Sequence, residues 1–208
     1  LFKIGRKLST SGAISSIYEI YNPPIAIKIL FFIIGLSLGE KKINNNLSAG
    51  SKLCIALQEM GTTFIKLGQF LATRPDIIGK NISAELEKLQ DKLPPFSIIE
   101  AKNILRTELK KENFDQISDF SEPIAAASIA QVHFAKINNS NGNEKEVAIK
   151  ILRPNIEKIF NEELDALMLL AYLAQSFIKK TKRLKLVEIV HLLREITNVE
   201  MDLRFEAA

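Results

Sequence analysis

Histidine and cysteine are almost absent from this chain of 208 residues, which holds two of the first and one of the second. A single thiol, Cys54, excludes an intramolecular disulfide framework and fits a reducing compartment. With Leu53 and Leu57 as its helical neighbours, it reads as a small core residue. His133 and His191 lie far from each other and from Cys54 in sequence, so no zinc site is expected. His133 reads as a satisfied strand histidine, and His191 as the surface partner of Glu195 four residues on. Nothing in the chain reads as a flavin, iron or haem ligand set. An excess of one charge is also lacking: the net charge is +4, with no dense basic stripe, so nucleic acid is not an expected partner. The cluster Lys179, Lys180, Lys182, Arg183 and Lys185 reads most simply as a solvated loop, with acidic lipid contact as its second reading. No internal repeat is visible. Nor does any apolar run reach the roughly 20 residues that a membrane-spanning helix needs.

The longest such run, Ile25 to Leu38, is interrupted by Lys28 and Ser37. A polar stretch precedes it and no small-residue cleavage site is evident, so it does not read as a secretory signal. Two readings remain for it. One is a buried helix; the other is an interfacial helix whose neighbours Arg6, Lys7, Lys28, Lys41 and Lys42 face anionic headgroups.

A hydrophobic content of 47% with 25% charged residues is that of a globular chain, long enough for one or two domains. Leu53, Leu57, Met60, Phe64, Leu67 and Leu71 form a stripe of three- and four-residue steps, predicting helix over 49–73. Thr73-Arg74-Pro75-Asp76 ends it, because the residue before proline leaves the helical region. A second helix is expected from Ser83 to Gln90, before Pro94-Pro95. A third is expected from Ser97 to Lys110, with Ser97 as N-cap and Glu100 completing a capping box. Between Phe120 and Pro154 the pattern turns β-prone, around Ile129–Ile137 and Val147–Leu152, and the polar segment 138–143 joins these runs as a hairpin loop. Helix returns over Ile156–Phe177 and Leu186–Ala208.

The chemistry concentrates in four places. Val147-Ala148-Ile149-Lys150 is a strand bearing a lysine, downstream of the small-residue turn Pro123-Ile124-Ala125-Ala126-Ala127-Ser128. That order matches the phosphate-handling half of a kinase-like nucleotide site. A snorkelling lysine and a plain β-turn would account for each piece taken singly. Upstream, Lys66 and Gln69 are three apart and share a helical face, with Gly68 between them. A helical glycine costs about 1 kcal/mol against alanine, which makes sense where another backbone or a ligand comes close; an exposed pair with an incidental glycine is the plainer account. Downstream, Asp202 and Glu206 are four apart, as are Glu200 and Arg204. On a continuous helix the two acids repel unless a cation lies between them, although a solvated helix face tolerates that.

Together, Lys66-Leu67-Gly68-Gln69, the alanine turn and Glu200-Met201-Asp202 resemble the UbiB family of atypical protein-kinase-like proteins of ubiquinone biosynthesis, in that family's order. The resemblance runs from about Gly5 to Ala208, and its most specific part is the Lys-x-Gly-Gln run. It implies an α+β fold: a protein-kinase-like small lobe, with a short antiparallel sheet plus helices, preceded by a helical N-terminal extension and lacking the large lobe. The implied divisions are 1–48, N-terminal helices that meet a membrane interface; 49–112, a helical extension carrying the Lys-x-Gly-Gln run; and 113–208, the small lobe. The chain opens at Leu1 and stops inside a helical pattern at Ala208, so it is expected to be a fragment.

The resemblance also implies roles. Lys66, Gln69, Glu200 and Asp202 are the catalytic set, with Lys66 the counter-charge of the two acids. Ala125, Ala126, Ala127, Ser128, Lys150 and Glu206 bind the nucleotide. Glu206 pairs with Lys150, which it orients toward the α- and β-phosphates. Alanines standing where kinases have glycines imply a stiffer cradle and put ordinary protein kinase activity in doubt. ATP with Mg2+ is the implied cofactor; no metal ligand is assigned in this chain, since those of the kinase fold lie in the large lobe. Implied partners are polyprenylated quinone precursors or membrane lipids and other ubiquinone-biosynthesis proteins, at the cytoplasmic side of a membrane. The complete protein is then an atypical kinase or ATPase handling lipid intermediates, and this piece alone is inactive. A non-catalytic lipid-binding scaffold is the alternative.

Overall fold

The computed structural model describes residue 11 and residues 47–89, 93–138, 144–177 and 179–205. They fall into two compact units. One takes Leu1–Gln90 with Ile159–Asn198, the other Asp91–Lys158 with Val199–Ala208. The apolar run 25–38 and Glu206 lie outside the described residues. Among the described residues no helix is long and apolar enough to cross a membrane.

In the first unit the apolar stripe builds two helices rather than one: α1 (Ala49–Met60) and α2 (Thr62–Ala72). Ser48 caps α1, its hydroxyl accepting from Ser51 N–H at 3.1 Å. The break is Gly61, at φ 101° and ψ −169°, a conformation open in practice to glycine alone. Its carbonyl still accepts from Phe64 and Ile65 N–H, so the stripe resumes at once. As the proline rule demands, α2 stops before Arg74 (φ −123°, ψ 63°) and Pro75 opens the short α3 (Pro75–Ile78). The following helix, α4 (Lys80–Leu86), starts and stops earlier than the expected 83–90. Gly79, at φ 84°, permits the early start, and Ser83 donates its hydroxyl to the Ala72 carbonyl at the end of α2.

Cys54, Leu57, Met60, Phe64, Leu86 and Leu89 make the core of this unit, and Ala166 packs with them. Burial pushes the Cys54 thiol up, and the nearby Glu85 carboxylate adds to the rise. Cys54 is therefore a structural thiol, as its helical neighbours suggested. Glu85 itself accepts from Ser51 and Lys88, tying α4 to α1 where Gly50 lets the helices approach.

Two further helices, α7 (Ile156–Phe177) and α8 (Leu186–Met201), run between the units in sequence, and a 3-10 segment, Lys179–Leu184, joins them. Within the first unit Arg194 of α8 meets Asp165 of α7 at 2.6 Å.

The second unit opens with α5 (Ile98–Glu108), capped by Ser97, whose hydroxyl accepts from Glu100 N–H at 3.2 Å, and continues through α6 (Lys111–Asp115). Four strands follow: β1 (Ile117–Ser118), β2 (Pro123–Ala126), β3 (Ala130–Asn138) and β4 (Glu144–Leu152). β4 pairs with β3 along its whole length; β1 and β2 pair with β3 at Lys136–Ile137 and Gln131–His133 respectively, and every pairing is antiparallel. This is the α+β arrangement of a kinase-like small lobe. One sheet face, carrying Ile149 and Ile151, packs against Ala101, Ile104 and Leu105 of α5. At the far end of the hairpin Lys136 bridges Asp119 at 2.9 Å and Glu144 at 3.3 Å. Those two carboxylates hold its ammonium above the ordinary lysine range.

Candidate functional site

Strand register brings the alanine segment and the lysine together. Ala125 lies opposite Val132, and Val132 opposite Lys150, so one cross-strand row carries all three on one face. The neighbouring row, Ala126, Gln131 and Ile151, points to the other face, which α5 covers. Lys150 thus stands on the face that α5 does not occupy. Ala148, which is exposed, and Phe134, 55% exposed, extend that face by one row beyond the half-buried Lys150. Small side chains at 125 and 148 leave room above the sheet, and the ammonium supplies positive charge at its edge.

Part of the anticipated turn is strand. Pro123–Ala126 forms β2, with an irregularity in register between Pro123 and Ala125, and Ala127–Ile129 makes the reversal into β3. Ser128 is fully buried, whereas Ala125 is exposed.

Two residues that sequence reasoning did not assign to this hairpin, Arg153 and Gln131, shape it together with His133. Arg153 donates from Nε and Nη2 to the Ala127 carbonyl at 3.0 and 2.8 Å, and from Nη2 to the Leu93 carbonyl at 3.3 Å. Gln131 is fully buried, its Oε1 accepting from Phe96 N–H at 2.9 Å and its Nε2 donating to the Phe96 carbonyl at 3.2 Å. The Phe96 peptide groups thereby fix which end of the amide is which. The same Nε2 donates to His133 Nε2 at 2.9 Å, which makes that ring nitrogen an acceptor. His133 Nδ1 then donates to the Ser121 carbonyl at 2.8 Å, and the ring stacks on Phe120 with centroids 4.4 Å apart. His133 is the satisfied strand histidine its position suggested, in its Nδ1–H form. Gln131 and His133 had a readable signal, since they are polar residues at alternate, buried positions of one strand. Arg153 had none, because its partner lies 26 residues away.

The acidic run needs correction. Helix was expected to continue to Ala208, but α8 ends at Met201 and a 3-10 turn, Leu203–Phe205, follows. Asp202 leaves the helix and turns on Arg204, accepting from its N–H at 3.2 Å, from Nε at 2.7 Å and from Nη2 at 2.5 Å. Those bonds hold its carboxyl below the usual range. Arg204 therefore pairs with Asp202 rather than with Glu200, and the face-sharing argument for Asp202 and Glu206 lapses with the helix that carried it. Glu200 stays on the last turn of α8, half-buried, in the same unit as Lys150.

Lys66 and Gln69 sit on α2, in the other unit, both half-buried. Between them Gly68 is buried, and a Cβ added there would lie 2.2 Å from Leu89 Cδ1 and 2.9 Å from Leu57 Cδ1. The close neighbours are side chains of its own core, not the backbone or ligand anticipated for it. Substituting Gly68→Val is expected to overpack this seam and lower stability by about 2 kcal/mol. Gly68→Ala should cost less, because the two leucine ends can turn aside and helix propensity returns about 1 kcal/mol. Urea unfolding followed by circular dichroism checks both; equal stability of the valine variant would contradict the packing account.

Among the described residues no group of three or more His, Cys, Asp or Glu side chains is placed to hold a metal ion.

A small antiparallel sheet with a lysine on the face that its packed helix leaves uncovered, entered through a turn without glycine, is the small-lobe arrangement of a kinase-like protein. The chain belongs to the ABC1 atypical kinase-like family, whose model matches residues 88–208. Similar curated relatives carry the name probable protein kinase UbiB. That of Marinobacter nauticus is 36% identical over 186 residues, covering 89% of this chain and 33% of the relative. Those of Shewanella baltica and Pseudomonas fluorescens are each 38% identical, covering 79% and 78% of this chain and 30% of each relative. The chain spans about a third of the length of the curated relatives it matches.

Proposed function

We propose that the complete protein binds Mg-ATP on the open sheet face and uses it to support ubiquinone biosynthesis, by ATP-dependent handling of polyprenylated lipid intermediates. The observation that carries this reading is the row Ala125–Val132–Lys150, which aligns the small-residue segment with the strand lysine. Lys150 meets the α- and β-phosphates, oriented by Glu206. The backbone of 125–128 lines the phosphates, and Lys66, Gln69, Glu200 and Asp202 form the catalytic set. The UbiB name of the relatives supports the pathway, and the kinase-like family supports the nucleotide. When bound, Mg2+ would neutralise phosphate charge; in the kinase fold its ligands belong to the large lobe.

A lipid surface is the proposed place of action, on the strength of the apolar run Ile25–Leu38 and its flanking cations. Membrane-associated proteins of ubiquinone biosynthesis are the proposed partners.

The test is equilibrium binding of Mg-ATP to the complete protein, with ATP turnover measured beside it in the presence and absence of anionic liposomes. Saturable binding with turnover is the expected result. Absence of binding would overturn the nucleotide reading. Binding without turnover would favour the scaffold, a reading to which the alanines at 125–127 lend weight because they stiffen the phosphate turn.

A further inference from the structure

We propose that the connection between α7 and α8 is a lipid-contact surface, where Lys182, Arg183 and Lys185 meet anionic headgroups while Leu169 and Tyr172 enter the boundary between headgroups and acyl chains. The inference deepens the lipid-surface reading above and rests on it for the kind of partner, but it stands on different residues, all within the first unit.

Positive charge is concentrated in this connection. Lys179, Lys180, Lys182, Arg183 and Lys185 fall within it, and no Asp or Glu occurs between Asp165 and Glu188. These five cations exceed the positive excess of the whole chain, +4. The segment Lys179–Leu184 is a 3-10 turn, and Lys182, Arg183 and Lys185 are exposed. Lys185 follows it at φ 50°, in the left-handed region that glycine enters more readily, so a cation stands where the chain reverses. Its ammonium also meets Glu188 at 2.9 Å, which leaves Lys182 and Arg183 to dominate the field of the described side chains.

Apolar surface adjoins the cations. Leu169 and Tyr172 are three apart on one face of α7, 45% and 64% exposed. Tyr172, Gln175 and Ser176 line one open depression with Lys182, Lys185 and Glu188, which places the tyrosine ring beside the ammonium groups. The exposed acids of the same α7 face, Glu162 and Asp165, stand about two turns or more from Tyr172, and Arg194 engages Asp165. The face therefore runs from acidic to apolar to cationic as α7 approaches its end.

That order suits a bilayer. A tyrosine, with an apolar body and a polar tip, settles at headgroup depth. Lysines lay their stems along apolar surface and keep their ammonium groups among the headgroups. Clustered cations are drawn to the negative surface potential of an anionic leaflet. All of these cations but Arg183 are lysines, compact and flexible charges that suit a fluid array of headgroups better than the fixed carboxylates of an acidic protein.

The experiment measures partition of the complete protein onto vesicles of phosphatidylcholine alone and of phosphatidylcholine with an equal part of phosphatidylglycerol. The variants are Lys182→Gln/Arg183→Gln/Lys185→Gln, the charge-keeping swap Lys182→Arg/Arg183→Lys/Lys185→Arg, and Tyr172→Ser, with thermal unfolding as the control for folding. Wild type should bind the mixed vesicles at least about tenfold more tightly than the neutral ones, and salt raised to about 0.5 M should remove that preference. The glutamine variant should bind the mixed vesicles about ten- to hundredfold more weakly. Tyr172→Ser should lose severalfold, and the swap should bind as wild type does, because a lipid surface reads charge and not fork geometry. Wild-type affinity for mixed vesicles in the glutamine variant or in Tyr172→Ser would overturn the inference. So would loss of binding in the swap, or displacement of the vesicles by soluble glycerol phosphate, since either marks a site for a discrete anion or an acidic protein. If the glutamine variant does not fold, Lys182→Gln and Arg183→Gln taken singly should each weaken binding about threefold to fivefold, and unchanged binding in both would be equally fatal. Phe31→Ser/Phe32→Ser keeps the two lipid contacts apart. Binding lost there but kept in the glutamine variant upholds the apolar run and defeats this surface; the reverse upholds this surface and defeats the run. Wild-type protein that binds neither kind of vesicle defeats both.

Discussion

Replacing Lys150 with alanine in the complete protein is expected to weaken Mg-ATP binding about a hundredfold and to abolish ATP turnover. The ammonium stands on the open face in register with Ala125. Its removal deletes a charge-assisted bond to phosphate, of the kind worth about 1.5–3 kcal/mol. Turnover suffers more than binding, because charge that develops on the phosphates during transfer loses its nearest fixed cation. If Glu206 orients the lysine, Glu206→Ala should lose Mg-ATP affinity too, and the double variant should be little worse than the poorer single one. Additive losses in that cycle would separate the two residues. An alanine variant at 150 with unchanged affinity would remove the lysine from the site altogether.

The largest loss of stability among polar residues is expected at Gln131. Gln131→Leu deletes the partner of Phe96 N–H, of the Phe96 carbonyl and of His133 Nε2 in one step. Groups left unsatisfied in a buried site cost about 1–3 kcal/mol each, and partial relaxation brings the expected total to about 3 kcal/mol. His133→Phe alone leaves the Ser121 carbonyl short and Gln131 Nε2 with one bond fewer. The double variant removes the orphaned ring nitrogen along with the amide that served it. It should therefore be more stable than the sum of the single losses predicts. Denaturant midpoints by circular dichroism give all three values, and strict additivity would show that the network does not act as a unit.

Much of the helical framework was legible because its signals are local. Pro75 ends one helix and begins the next, Ser97 caps α5, and Ile156–Phe177 was read with the bounds it has. The alternation in β3 and β4 was legible for the same reason. Gly61 was passed over because the apolar stripe runs through it in phase. A positive-φ residue costs the stripe no contact, so hydrophobic spacing carries no trace of the break. The end of α8 was missed for a different reason. Asp202, Arg204 and Glu206 satisfy helical spacing on paper, but the Asp202 carboxylate bonds to Arg204 two residues on, and that local pairing competes with the helix.

What the sequence by itself determined is the set of chemical parts and their order: the strand lysine, the glycine-free turn, the Lys-x-Gly-Gln run and the family to which the chain belongs. These follow from residue type and short spacing. Tertiary structure alone decided which side chain serves which. The antiparallel register set Lys150 beside Val132 and Ala125 instead of one residue over, on the covered face. It brought Arg153 to Ala127 and Phe96 to Gln131. Each pair is separated by more than twenty residues, and no periodicity records so distant a match. Only closing the hairpin and burying its inner face against α5 bring such groups within hydrogen-bonding distance.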